Sequence, residues 1–172
     1  MKAISKVFLV LLVTLWPSQI LAGDLISSAC DHTLYKQMCR QTLRSDPESR
    51  AATSFEVLAK VALKHATSKA TQIHGQVTKL LNGSSSAAAK IALTDCDENY
   101  EDSIEKLKDS GTALASKRYR DVKTWVSAAM IDGDSCDEGF KEVGDGKSPL
   151  GNQGTLFTRL CSIVLAITNQ LK

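Results

Sequence analysis

The sequence predicts an all-α protein: an antiparallel four-helix bundle carrying an N-terminal α-hairpin and two disulfides. Three observations predict it. Apolar residues recur at spacings of three and four through four long segments, the period of a helix with one buried stripe. Short connections rich in Gly, Ser, Asn and Asp join these segments, which places successive helices antiparallel. Five cysteines follow an apolar leader, and no stretch alternates long enough to read as strand.

Residues 1–22 carry the three parts of a secretory signal peptide: Lys2 and Lys6, an apolar run from Val7 to Trp16, and small residues around Ala22 for cleavage. The run is about half the ~20 residues that a membrane-spanning helix requires. The expected mature chain, 23–172, is one domain, with a hairpin over 23–44 and the bundle over 45–172. Lys2 and Lys6 are the leader's only charges, so the mature chain holds 19 basic and 19 acidic residues. A neutral chain presents no basic surface of the kind nucleic acid needs, and no membrane partner is implied once the leader is cleaved.

Residues 23–44 read as two short helices with Leu25, Ile26, Leu34, Met38 and Leu43 as apolar positions and a turn near Asp31-His32-Thr33. One continuous helix would hold Cys30 and Cys39 about 13.5 Å apart, beyond disulfide reach, so a bridge between them demands a hairpin. Ser45-Asp46-Pro47 is a break, since Pro47 disfavours a helical Asp46. A helix from about Thr53 to Leu81 follows, opened by a Thr53-x-x-Glu56 capping box. Its stripe is Phe55, Leu58, Ala62, Ala66, Ala70, Ile73, Val77 and Leu80, all alanine in the middle. Asn82-Gly83-Ser84 is an N-glycosylation sequon in the next loop, with Asn82 as the acceptor. The second long helix covers about Ala87 to Leu107 on a stripe of Ala89, Leu93, Cys96, Tyr100, Ile104 and Leu107, leaving Asp97, Glu98, Glu101, Asp102 and Glu105 on its outer face. A third spans about Arg118 to Met130, with Val122, Trp125, Val126 and Ala129 inward and Ile131-Asp132-Gly133-Asp134 ending or bending it. The last covers about Gly154 to Leu171 on Leu156, Leu160, Ile163, Ile167 and Leu171.

In a secreted chain, Cys30, Cys39, Cys96, Cys136 and Cys161 predict two disulfides and one leftover thiol, with connectivity left open. The economical pairing joins Cys30 to Cys39 and Cys96 to Cys136. Cys161, in the apolar run from Leu160 to Leu165, reads as a buried, inert free thiol.

Material for catalysis is thin. His65 and His74 stand about 180° apart on one helix and cannot share a metal, and His32 is the only other histidine. Asp132, Asp134 and Asp137 lack the glutamate of a calcium loop, since Val143 holds the twelfth position. Gly146-Lys147-Ser148 is not a phosphate loop, because Lys141 stands where the motif's first glycine belongs. No nucleophile elbow occurs. The expectation is a binding protein and not an enzyme, with no catalytic residues, metal or cofactor.

Four strings, in order and register, add a resemblance. Cys39 to Pro47 reads CRQTLRSDP, Cys96 to Ile104 reads CDENYEDSI, Trp125 to Met130 reads WVSAAM ahead of SCDEGF from Ser135, and Leu160 to Asn169 reads LCSIVLAITN. Together they resemble the plant invertase and pectin methylesterase inhibitor family over Ser28 to Leu171. The resemblance implies the hairpin-plus-bundle fold, disulfides joining first to second and third to fourth cysteine, and a secreted inhibitor forming a non-covalent one-to-one complex. The location implied is the apoplast or cell wall, with the vacuole as the alternative. A fifth cysteine in the last helix, here Cys161, points to pectin methylesterase as partner. Acid invertase is the alternative, but its inhibitors' Pro-Lys-Phe is replaced by Tyr119-Arg120-Asp121. Ser135 stands where a Thr often precedes the fourth cysteine. The candidate partner-binding residues are Asp97, Glu98, Glu101, Asp102, Glu105 and Ser135, acting by occlusion of the enzyme's cleft.

Overall fold

The computed structural model describes residues 25–84, 86–143 and 148–172. The expected signal peptide, Ser85 and the loop from Gly144 to Lys147 lie outside the described residues. Every regular element among the described residues is a helix: α1 (25–31), α2 (Lys36–Ser45), α3 (Pro47–Arg50), α4 (Phe55–Gly83), α5 (Ala87–Ala115), α6 (Tyr119–Glu142) and α7 (Gln153–Thr168). Helices α4 to α7 close into a ring in which α5 packs on α4 and α6, and α7 on the same two.

Helices α1 and α2 form the hairpin. Cys30 is bonded to Cys39, and both are fully buried with Ile26, Ala29 and Leu43. So small a core needs support, and α7 with the residues just after it supplies it. Gln170 Nε2 donates to the Ala29 carbonyl at 3.0 Å, and the Arg159 guanidinium lies 5.4 Å from the centre of the Tyr35 ring. The turn occupies 32–35, later than the sequence predicts, because Thr33 Oγ1 accepts from the Tyr35 N–H and the Thr33 N–H bonds back to Cys30. Leu34 therefore sits on the turn at 88% exposure and not in the core.

Asp46 is extended, as Pro47 requires, and caps α3, a short helix that periodicity does not reveal. One carboxylate oxygen accepts from the Glu48 N–H at 2.9 Å while the other takes Lys64 Nζ at 3.0 Å, so a buried acid ties the hairpin's end to α4. The Lys64 hydrogen bond leads in holding this carboxyl below the usual range, against the opposing effect of burial. A depressed folded value contributes stability that is present above the ordinary carboxylate range and is lost as pH falls through the folded value. Asp46→Ala should cost about 1.5 kcal/mol near neutrality, mostly the lost cap, since the lysine is well exposed. Urea unfolding should show the gap to the parent closing below the ordinary carboxylate range; a constant gap would remove the charge from the account.

In α4, Leu58, Ala62, Ala66, Ala70, Ile73 and Val77 are buried as the stripe predicts, but Leu80 is 37% exposed where the stripe runs off the bundle's end. The N-cap is Ser54 and its side chain makes no capping hydrogen bond, so the predicted Thr53-x-x-Glu56 capping box does not form: Val57, which cannot reach back, stands at the third helical position. Glu56 then lies at the second helical position. Its carboxyl is held low by its own N–H and by Ser54, and it accepts from Tyr119 Oη at 3.2 Å, pinning the start of α6 to that of α4.

Helix α5 continues beyond Leu107, the last residue of its predicted stripe, to Ala115. Ser103 and Ser110 interrupt the apolar pattern, yet both are buried and satisfied: Ser103 donates across to the Ala129 carbonyl at 3.1 Å, Ser110 to that of Lys106. A Schellman turn ends it. Lys117 takes φ 56, its N–H bonds to Leu114 and that of Arg118 to Ala113.

Helix α6 continues to Glu142 without the break expected at Ile131–Asp134. Gly133 is a packing residue there: a Cβ would come within 2.7 Å of the Phe157 ring, so glycine lets α7 close on α6. Its aspartate neighbours bridge helices, Asp132 to Lys106 of α5 at 2.8 Å and Asp134 to Thr158 of α7 at 3.0 Å. Trp125, expected inward, is 38% exposed. Helix α7 ends at Thr168, short of Leu171, and its fully buried aromatic is Phe157, edge-to-face with Tyr100 at 5.6 Å.

Candidate partner-binding face

Cys96 on α5 is bonded to Cys136 on α6, with 4.6 Å between their α-carbons, and both are buried. This staple underlies an open groove of about 670 Å³ between the two helices. Asp95, Glu98 and Asp102 recur at three and four along α5, and Ser135, Glu138 and Glu142 do so along α6, so the two sets face each other across the groove. With Glu101, six carboxylates line it and no cation does. Ser135 is exposed and donates to the Ile131 carbonyl at 2.9 Å, leaving its oxygen free to accept.

The six predicted candidates are divided. Glu98, Glu101, Asp102 and Ser135 meet in the groove. Asp97 turns to the other flank of α5, where it accepts from Thr78 Oγ1 at 2.8 Å and lies 3.3 Å from His74 Nε2. Glu105 is exposed one turn further along and does not line the groove. Sequence reasoning missed Asp95, Glu138 and Glu142. Continuing α6 through Gly133 would have exposed the second set, since Glu138 and Glu142 share the Ser135 face.

Below the groove, Lys106 Nζ bonds Asp132 and lies 3.3 Å from Asp102. Burial opposes its charge, and these hydrogen bonds outweigh burial, raising its pKa. The α5–α6 register is thus fixed by a disulfide, a salt bridge and the Ser103 hydrogen bond. Ile131, 65% exposed one turn before Ser135, adds an apolar contact beside the acids. Six carboxylates on two stapled helices thus present a pre-ordered acidic surface.

Other chemistry is not assembled. His65 lies near Asp46 and His74 near Asp97, on separate sides of α4. No cluster of three metal-ligating side chains occurs among the described residues. Cys161 is fully buried, and burial pushes its thiol far above its usual pKa, which makes it inert. Asn82 is exposed in the last turn of α4.

Residues 24–167 match the family described as plant invertase/pectin methylesterase inhibitor. The chain is 28% identical to pectinesterase inhibitor 1 of Arabidopsis thaliana over 163 residues, covering 95% of this chain and 91% of that protein. It is 30% identical to the pectinesterase inhibitor of Actinidia deliciosa over 155 residues, 90% of this chain and 83% of that one. A putative invertase inhibitor of Platanus orientalis is 25% identical over 158 residues, 88% and 92% of the two chains. Among solved structures, mutant form A of a pectin methylesterase inhibitor from Arabidopsis superposes with a TM-score of 0.75 at 28% identity, over 86% of this chain and 97% of that one.

Proposed function

Since this chain belongs to the plant invertase/pectin methylesterase inhibitor family, we propose that it is a secreted inhibitor of pectin methylesterase, with residues 23–172 as the inhibitor unit. The observation that carries the reading is the acidic α5–α6 groove on a disulfide floor. The bundle performs no chemistry. It docks Glu98, Glu101, Asp102 and Ser135, with Asp95, Glu138 and Glu142, against the rim of the polysaccharide cleft and blocks entry. Pre-ordered helices lose little freedom on binding, which favours a tight one-to-one complex. Among the described residues no helix is long and apolar enough to cross a membrane. The site of action we propose is the extracellular wall space, with Asn82 as a glycan acceptor on the end of α4.

The test is inhibition of purified pectin methylesterase and purified acid invertase by the oxidised mature chain at mildly acidic pH. The expected result is loss of esterase activity with a one-to-one endpoint and no change in invertase. Loss of invertase activity alone would transfer the assignment to the family's other target and make Pro-Lys-Phe dispensable. If folded, disulfide-bonded protein slows neither enzyme, the reading fails.

A further inference from the structure

Helix α5 has a groove on each flank, and the two carry opposite charge. The flank toward α6 is acidic. The flank toward α4 is a longer, shallower groove of about 860 Å³, lined by Lys60, Lys64, Lys79 and Lys108 and by no carboxylate. Six carboxylates thus line one groove and four lysines the other. Lys60 to Lys79 span nineteen positions of one helix, about 28 Å. Lys60 pairs with Glu48 at 2.7 Å and Lys64 with Asp46 at 3.0 Å, both acids lying outside the groove on the α3 side. Lys79 and Lys108 have no carboxylate partner among the described residues.

Between the lysines the groove presents uncharged hydrogen-bonding groups, Ser68, Thr71, Gln72 and Gln76, over an apolar floor of Leu63 and Leu107. Gly75 leaves the middle open: a Cβ there would meet nothing within 4 Å. A small anion does not need this length. A single-stranded nucleic acid asks for aromatic stacking surfaces, and none lines the groove. The combination fits an extended polymer whose repeating unit offers one carboxylate, several hydroxyls and an apolar ring face.

We propose that the α4–α5 groove binds a linear polyuronate, so that the inhibitor is held on de-esterified polymer while its acidic face meets the enzyme. The choice of a uronate rests on the proposed function, because hydrolysing a polymer's methyl esters leaves carboxylates along it. The binding itself requires no enzyme. With the two faces on opposite flanks of α5, polymer and enzyme do not compete, and inhibitor would accumulate where the enzyme's product does.

Affinity electrophoresis of the oxidised mature chain in native gels tests this, with polygalacturonate or highly methyl-esterified pectin cast into the matrix. Wild type should be retarded by polygalacturonate, much less by the ester, and less as salt rises. Lys60→Gln/Lys79→Gln/Lys108→Gln and, separately, Gly75→Glu should each weaken retardation about tenfold. Gly75→Glu introduces a better helix former into open space, so it keeps the fold while putting a negative charge in the groove. Both variants should retain the wild-type urea midpoint and full esterase inhibition. No retardation of wild type, equal retardation by the ester, or retardation unchanged in both variants would each overturn the proposal. Variants that lose esterase inhibition but keep polymer binding would also overturn it, by assigning the groove to the enzyme. If wild type binds polymer but fails to slow the esterase, the functional reading falls and polymer binding stands.

Discussion

Removing the Cys96–Cys136 bridge as Cys96→Ala/Cys136→Ala should lower stability by at least about 4 kcal/mol, more than any single side-chain change predicted above. The bond closes a loop of 40 positions, and in the chain-entropy model constraining that loop in the unfolded state accounts for about 3.9 kcal/mol. Both sulfurs are buried, so replacement with alanine also leaves unfilled space in the α5–α6 seam. Lys106–Asp132 and the Ser103 hydrogen bond remain to hold the register. The fold should therefore survive near 25 °C with a lower urea midpoint, and esterase inhibition should persist there but fail at a lower temperature than in the parent. The Cys30–Cys39 bridge closes a much shorter loop, so removing it as Cys30→Ala/Cys39→Ala should cost about 2.7 kcal/mol. Equal losses for the two bridges, or less than about 1 kcal/mol for the longer one, would show that chain entropy does not set the balance.

Which features could be read from the sequence follows from how locally each is determined. The middle of the α4 and α5 stripes was legible, Leu58 to Val77 and Leu93, Cys96, Tyr100 and Leu107, because a core stripe repeats at the helical period whatever it packs against, whereas Phe55, Ala89 and Ile104 are only half-buried and Leu80 is exposed. So was the hairpin, because helix geometry alone keeps Cys30 from Cys39. The errors cluster where a neighbouring helix reverses a local preference. Gly133 and its aspartates read as a stop, yet the glycine exists to admit the Phe157 ring and each acid is satisfied from a different helix. Ser103 and Ser110 fall outside the apolar stripe, yet both are buried, their hydroxyls satisfied by carbonyls inside the bundle. The candidate face inherited these errors. Ending α6 early hid Glu138 and Glu142, and a single acidic run on α5 concealed that Asp97 belongs to the α4 flank.

That division of the acidic run leads to the second large effect. Glu98→Gln/Glu101→Gln/Glu138→Gln/Glu142→Gln should weaken esterase inhibition about a hundredfold, because charge pairs that lose their water on docking are worth far more than rim charges. All four side chains are exposed and belong to none of the described salt bridges, so the urea midpoint should stay near wild type. Asp102 is left in place because it also serves Lys106. Asp97→Asn is the matched control. It lies on the same helix within the same run, but it faces Thr78 and His74 across the α4 seam. It should cost a small amount of stability and leave inhibition unchanged. Fast mixing at two salt concentrations would separate steering from contact: lost long-range attraction slows association and fades in high salt, whereas lost contacts speed dissociation at either. If Asp97→Asn weakens inhibition as much as the four groove changes together, the complex is formed on the α4 side of α5. The same result would remove the acidic α5–α6 groove as the enzyme's docking face.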